Sequence, residues 1–513
     1  MTDWTGILFW GFLVVYGVAM FLISPKTVTV GGFFRGEDRK GRDANPWMIM
    51  ASVFIAWIFA KSVTNAANMG ADFGIVGGIG YAVYWLCIPL TGWALYRLRR
   101  RFGATGMVSF LTEHYGVLAS FCFSAAILVR LFNEVWSNTS VIGAYYGDSG
   151  TAPFVIAALL MTAITIAYCC KGGMRGSLVT DVVQAVLFGV LLLGVLVAIV
   201  PQHGAGAYAA SGVWSLEGGV DFIIGAGLQC LSYGFHDAVL TDRGFLCEAK
   251  KMLKAFVVAG LLGFVAIVLF SLVGVDLFLD GVARSGSDAP VVVARSLGIV
   301  AFFVVAAIMI STAGSTLDST FTSLGKLCSR DLPGIVGVKP ENVRMIGIGA
   351  MVIFGIVGNL PMIMGASIIT ATTISGTMIM GLGPVFLLHG VVKPTTTGFM
   401  LSFWIGMILG IWDVVDPSSL AFMNIGEGKY ANFLGVNLWG AIACWAAYVA
   451  AGLVSAARDK ARGIEPDWKG FTDEEVAERE LAAARRRELG DLEGVERPSS
   501  ADEAIGSDMA VGA

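Results

Sequence analysis

Long apolar runs alternate with short polar connections along most of the chain. Such runs match the length that a helix needs to cross the hydrocarbon layer of a membrane. They predict an all-α polytopic membrane protein with about thirteen transmembrane helices. The predicted spans are 5–24, 47–69, 74–96, 117–146, 152–170, 178–201, 220–240, 255–276, 296–320, 343–359, 361–389, 396–414 and 433–455.

Composition and charge agree with a membrane protein and argue against a soluble enzyme. Of the 513 residues, 56% are hydrophobic and 14% are charged, and the basic residues concentrate in alternate connections such as 26–42 and 97–101. The positive-inside rule predicts that these connections are cytoplasmic, with the N-terminus outside and the C-terminus in the cytoplasm. We expect a multi-pass protein of the cell inner (plasma) membrane, with its first span retained. The net charge of −4 gives no indication of nucleic acid.

Several predicted helices carry polar residues that lipid contact would not tolerate. The second predicted span contains Lys61, Ser62 and Asn65. The fourth predicted span also contains several polar residues, between positions 130 and 136. Polar side chains at membrane depth must face protein, water or a solute. The fourth-span residues that we expect to line a pathway are Asn133, Glu134 and Trp136, while Arg130 and Glu134, four residues apart, could also neutralise each other as a structural pair.

Two further groups carry candidate chemistry. His236 and Asp237 are adjacent near a predicted helix break, where they could bind solute, relay protons or simply be hydrogen bonded inside the bundle. In the stretch 308–318, Ser311, Ser315 and Asp318 share one helix face, with Thr312 beside it. This row of hard oxygen donors could bind a cation, or its hydroxyls could bond to carbonyls one turn earlier.

These motifs resemble the sodium:solute symporter family. The Ser311-Thr312 pair resembles the Ser-Thr signature of the family's eighth core helix. Residues 171–184, Lys-Gly-Gly-Met-Arg-Gly-Ser-Leu-Val-Thr-Asp-Val-Val-Gln, resemble its Gly-Gly turn followed by Thr-Asp-x-x-Gln. Looser likenesses at 105–116, 233–251 and 371–398 extend the resemblance to roughly residues 28–415.

The resemblance implies a LeuT-like core of ten helices in two inverted five-helix repeats. The first repeat would be 47–201 and the second 220–390, joined by an extracellular loop at 202–219. Residues 1–46 would form the first transmembrane helix and a cytoplasmic loop, and 391–456 two additional helices. A largely disordered, charged cytoplasmic tail would follow at 457–513.

The resemblance also implies secondary active import of a small polar organic solute, such as proline or a short carboxylate, with Na⁺ by alternating access. The ion would bind the carbonyls of Ala56, Phe59 and Ile308 and the hydroxyls of Ser311 and Thr312, and Asp181 with Ser315 could hold a second ion. The expected solute-binding residues are Lys61, Ser62, Asn65, Asn133, Glu134, Trp136, His236 and Asp237. We expect no other cofactor and a functional monomer.

Lys61 leaves the coupling ion open, because it lies two residues beyond Phe59. Its ammonium group could be the counter-charge of a solute carboxylate, or it could replace the ion and make transport proton-coupled or ion-independent. A symporter-like sensory protein is another alternative, although a kinase module would then be expected after the last helix. An enzyme would need a nucleophile-base or metal constellation, and the sequence suggests none.

Overall fold

The computed structural model describes residues 3–284, 286–364, 375–464 and 468–479. Helices dominate these ranges. In chain order they are α1 (Asp3–Ile23), α2 (Val30–Arg35), α3 (Pro46–Ala56), α4 (Ala60–Phe73), α5 (Ile75–Ala82), α6 (Cys87–Phe102), α7 (Met107–Tyr115), α8 (Val117–Tyr146), α9 (Ala152–His203), α10 (Ala205–Ala209), α11 (Asp221–Cys230), α12 (Ala238–Arg243), α13 (Ala249–Asp280), α14 (Ala289–Ser296), α15 (Ile299–Lys326), α16 (Leu332–Ile335), α17 (Val343–Val357), α18 (Leu360–Ile363), α19 (Leu382–Leu387), α20 (Thr396–Val415) and α21 (Ala431–Ala461).

Two membrane-depth helices are broken in the middle. The predicted span 47–69 is the pair α3 and α4, which meet at an angle of 54° across Trp57–Phe59. Phe59 has extended backbone angles and caps α4. The predicted span 220–240 is the pair α11 and α12, where the extended Asp237 caps α12 through a bond from the Leu240 amide. Each break frees backbone groups from the helical ladder beside buried polar side chains.

The predicted spans 152–170 and 178–201 belong to one 52-residue helix, α9, that bends at Gly173. Gly173 has a φ of 53°, and a Cβ there would collide with the backbone of Phe33, so glycine is required for both reasons. Within the described ranges, nine helices are long and apolar enough to span a membrane, or ten if α3 and α4 are one span. The count of thirteen is not confirmed, and the predicted span 361–389 lies partly outside the described residues.

The core forms where the broken helices pack against long straight ones. α4 packs along α13, and α15 packs along α9 and α8. Glycines allow the closest approach: Gly70 lies against Ser271 of α13, and Gly274 lies against the backbone of Ala67. Small residues at such interfaces are typical of membrane helix packing, where dispersion contacts replace the hydrophobic effect.

Part of the predicted cytoplasmic tail is ordered against the bundle. The amide of Phe471 donates to the carbonyl of Arg101, and the Arg101 guanidinium lies 2.7 Å from Asp473. Val476 is buried. Residues 465–467 and 480–513 of the predicted tail lie outside the described residues.

Candidate functional site

Four charged side chains meet where the two broken helices approach α8. Lys61 Nζ of α4 lies 2.6 Å from Glu134 Oε1 of α8. Arg130 of α8 pairs with Glu134 and also, at 3.0 Å, with Asp237 at the second break. All four side chains are at most 1% exposed. We call Lys61, Arg130, Glu134 and Asp237 the charge quartet. It contains two positive and two negative groups.

Aromatic rings and an amide enclose the charge quartet. The Arg130 guanidinium lies 5.2 Å from the ring centre of Phe59 and 5.1 Å from that of Tyr233, both at helix breaks. Asn138, one turn beyond Glu134, donates to Glu134 Oε2 at 2.9 Å. A guanidinium held between ring faces and two carboxylates is strongly fixed, since cation–π attraction increases when water is excluded.

The other expected solute-binding residues divide into two groups. Ser62 and Asn65 lie on the same helix as Lys61. Both are hydrogen bonded to the hydroxyl of Tyr81, at 3.3 and 3.2 Å respectively. His236 is buried beside Asp237, with Nδ1 2.7 Å from the Tyr233 carbonyl. In contrast, Asn133 and Trp136 bond to each other.

Trp136 belongs to a separate apolar cluster with Phe154, Ala158 and Met362. It therefore faces α9 and α18, on a different face of α8 from Glu134. The helical spacing explains the separation, because residues two positions apart on a helix point in different directions. The structure does not bring Asn133 and Trp136 to the charge quartet.

A second polar cluster, the inner cluster, lies nearer the end of the bundle that carries the basic connections. It is centred on Asp181 of α9, whose carboxylate accepts hydrogen bonds from Ser52 of α3 and Ser315 of α15. Arg243, the last residue of α12, lies 3.2 Å from Asp181 Oδ2. Asp181 and Arg243 are fully buried. One carboxylate thus connects four helices.

Asp318 supplies a second carboxylate to the inner cluster, one turn from Ser315. Its oxygens accept bonds from Ser177 at 2.6 Å, Thr180 at 2.9 Å and Tyr168 at 3.1 Å. Arg243 also donates to Ser319 at 2.5 Å. The inner cluster therefore brings two acidic side chains, Asp181 and Asp318, to one basic side chain, Arg243.

The hydroxyl pair that faces the first helix break is one turn further along α15 than the sequence predicts. Thr316 donates to the carbonyl of Ala56, at the end of α3, over 3.3 Å. Its neighbour Ser315 binds Asp181. The predicted pair makes other contacts: Ser311 donates to the Gln184 carbonyl, and Thr312 donates to the carbonyl of Ile308.

Two predicted carbonyl ligands are engaged in helix hydrogen bonds. The Phe59 carbonyl accepts the amides of Ser62 and Val63, because Phe59 is the cap of α4. The Ile308 carbonyl accepts the Thr312 hydroxyl, which is the back-bonded alternative considered for this stretch. Of the predicted ion ligands, Ser315 therefore contacts Asp181, while Ala56 contacts Thr316, the next residue along α15.

Sequence reasoning named Arg130 as a possible partner of Glu134, which it contacts, and Asp318 as one of a row of oxygen donors, but it assigned no role to Arg243, Thr316 or Ser52. Arg130, Asp318 and Arg243 were each visible as a charge inside or at the end of an apolar helix, which is a strong signal of function or pairing. Thr316 and Ser52 gave no such signal, since serine and threonine are common in membrane helices. Only the helix register reveals their partners.

The fold and the two clusters together define a membrane protein with a LeuT-like transporter fold. A sodium-coupled sialic acid symporter, solved in a substrate-bound outward-open state, superposes with a TM-score of 0.66 at 16% identity, over 88% of this chain and 98% of that one. A nucleobase-cation-symport-1 family transporter gives 0.52 at 13% identity, over 83% and 96%. At these identities the likeness is one of fold.

Sequence comparison also finds similarity to transport proteins. Sodium/glucose cotransporter 1 of Ovis aries is 27% identical over 208 residues, which are 39% of this chain and 30% of that protein. Solute carrier family 5 member 4A of Mus musculus is 24% identical over 196 residues, or 37% and 28%. The matched region is thus less than a third of these relatives' length. No family model matches the chain.

These relatives confirm the resemblance to sodium:solute symporters that the sequence motifs indicate. Their names describe cotransporters and solute carriers, which are transport proteins rather than enzymes.

Proposed function

We propose that this chain is a secondary active transporter that carries Na⁺ together with a small polar organic solute. The observation that carries the proposal is the hydroxyl pair Ser315-Thr316, which joins the carboxylate of Asp181 to the carbonyl of Ala56 at the first helix break. Carbonyl, hydroxyl and carboxylate oxygens are the hard ligands that Na⁺ requires, and broken helices are where transporters of this fold class bind ions.

Charge supports a cation at this place. The inner cluster has two buried carboxylates and one guanidinium. Two ionised carboxylates against one guanidinium would leave a negative charge uncompensated in a buried site, so a bound Na⁺ would lower the free energy of the doubly ionised cluster. We propose Ala56, Ser315, Thr316 and Asp181 as the Na⁺ ligands, with Asp318 contributing its charge.

The charge quartet supports solute binding at the level of both breaks. Lys61 is ion-paired with Glu134 on α8, while the α15 hydroxyls contact Asp181 and Ala56. Because Lys61 pairs with α8 and not with the α15 hydroxyls, this arrangement favours a role for Lys61 in the solute site over a role as a replacement for the ion. The end with the basic connections would be cytoplasmic, and the protein would act as a monomer in the plasma membrane.

Uptake into proteoliposomes tests the proposal. Radiolabelled amino acids, short carboxylates and sugars are offered under an inward Na⁺ gradient, a matched K⁺ gradient or a proton gradient without Na⁺. We expect at least one solute to accumulate under the Na⁺ gradient alone. Accumulation that follows the proton gradient and ignores Na⁺ would refute sodium coupling and favour the alternative role of Lys61.

A further inference from the structure

The charge quartet bears on which solutes the proposed site can accept. Its two cations and two carboxylates are already paired: Lys61 with Glu134, and Arg130 with both Glu134 and Asp237. The second oxygen of Glu134 accepts the Asn138 amide. Neither cation is left over for a carboxylate from outside.

Among the described residues, the two cations and the two carboxylates of the charge quartet cancel. An anionic solute would therefore give the site a net negative charge, or would displace a carboxylate and leave it unpaired. Both outcomes are unfavourable for buried charges.

Uncharged hydrogen-bonding groups, in contrast, have partners available within and beside the quartet. Within the described ranges, Trp57 Nε1, Arg130 Nε and His236 Nε2 are buried polar atoms without a hydrogen-bond partner. Because His236 Nδ1 donates to the Tyr233 carbonyl, Nε2 of the neutral ring is an acceptor. The first two atoms are donors.

The three unpartnered atoms belong to side chains that surround one ring. Tyr233 has its ring centre 5.9 Å from Trp57, 5.3 Å from His236 and 5.1 Å from the Arg130 guanidinium. Donors and an acceptor among aromatic faces suit hydroxyl or amide groups on a small organic molecule. This arrangement provides polar recognition without adding charge.

We propose that the charge quartet limits the solute to molecules without net charge, whether uncharged or zwitterionic, and that Glu134 and Lys61 set this limit. The inference rests on the proposed function only for the location of the solute site. Neutralising Glu134 would leave a surplus positive charge that favours anions. Neutralising Lys61 would leave a surplus negative charge that disfavours them further.

The test measures thermal stabilisation of the purified full chain by matched solutes. Lactate, lactamide and alanine share a carbon skeleton and differ in charge, as do gluconate and glucose. The variants are Glu134→Gln, Lys61→Met and the double variant, which again has a balanced quartet. Each titration is made in Na⁺ and in choline.

For the wild type we expect half-maximal stabilisation by an anion to need at least about tenfold more solute than by its uncharged or zwitterionic counterpart. Glu134→Gln should shift this ratio towards the anion by about tenfold or more, and Lys61→Met should shift it away. The double variant should return to the wild-type preference, because its net charge is again zero. This comparison also holds if one single variant fails to fold.

Three results would overturn the inference: a wild type that is stabilised by anions as readily as by their neutral counterparts, a wild type that no uncharged or zwitterionic probe stabilises, or a double variant that retains an altered preference. The ratio of the solute concentrations for half-maximal stabilisation is measured both in Na⁺ and in choline. Loss of sodium dependence would therefore refute the proposed coupling without changing the ratio, and the two failures remain distinguishable.

Discussion

At the scale of single residues, the position of one hydroxyl pair decides which part of α15 faces the helix break. Ser311-Thr312 and Ser315-Thr316 are the same kind of pair one turn apart, so their sequences favour neither. Thr316 reaches the Ala56 carbonyl, while Thr312 bonds within its own helix. The two threonines thus provide a matched comparison within one helix.

Thr316→Ala should raise the Na⁺ concentration for half-maximal uptake by about ten- to hundredfold, because losing one oxygen ligand of a desolvated cation costs about 1–3 kcal/mol. Thr312→Ala removes the same hydroxyl from a contact that we do not assign to the ion. It should change the sodium requirement by less than about threefold. Sodium titrations of initial uptake rates, normalised to protein abundance, measure both.

A larger effect in Thr312→Ala than in Thr316→Ala would return the ion site to the pair predicted from the sequence. Equal sodium dependence in both variants and the wild type would remove α15 from the ion site altogether.

At the scale of helices, the contact between α4 and α13 holds the first broken helix in place. Gly274 of α13 is buried, and a Cβ there would collide with the backbone carbonyl of Ala67. The obstacle is backbone, which cannot rotate away as a side chain can. Gly189 of α9 offers a control, because a Cβ there would meet nothing within 4 Å.

Gly274→Ala should therefore lower the free energy of unfolding by about 1–3 kcal/mol, since an added methyl group forces the two helices apart. Gly189→Ala should be neutral or slightly stabilising, since alanine favours the helix. Thermal unfolding of the purified proteins in one detergent gives the comparison. Equal midpoints for Gly274→Ala and the wild type would contradict the close packing of these helices.

At the scale of the whole molecule, the basic connections lie at one end of the bundle. Arg39 and Glu427 are exposed residues in loops at the two opposite ends. The same asymmetry of charge predicts which end is cytoplasmic.

Single cysteines at these positions test the orientation, in a background that lacks the eight native cysteines. A membrane-impermeant maleimide should label Glu427→Cys in intact cells and Arg39→Cys only after permeabilisation. The reverse pattern would invert the predicted topology, and with it the direction that we propose for import.

The sequence by itself determined the class of protein and most of the helices. Apolar length and charge asymmetry are local properties, because the bilayer sets the length of any helix that crosses it. The stretch 47–69 also indicated that one of its faces meets protein, water or a solute, since Lys61, Ser62 and Asn65 are too polar for lipid. The likeness to sodium:solute symporters was carried by short motifs that the relatives confirm.

Only the tertiary structure decided which polar groups meet. Repetition of serine and threonine along α15 left the ion-facing turn ambiguous, and the Ala56 carbonyl resolves it. The pairing of Lys61 with Glu134, 73 positions apart, depends on how α4 approaches α8. Likewise, Asn133 and Trp136 share a helix with Glu134 but face a different neighbour. Partners distant in sequence are fixed by helix packing and rotation, which hydrophobic pattern alone does not specify.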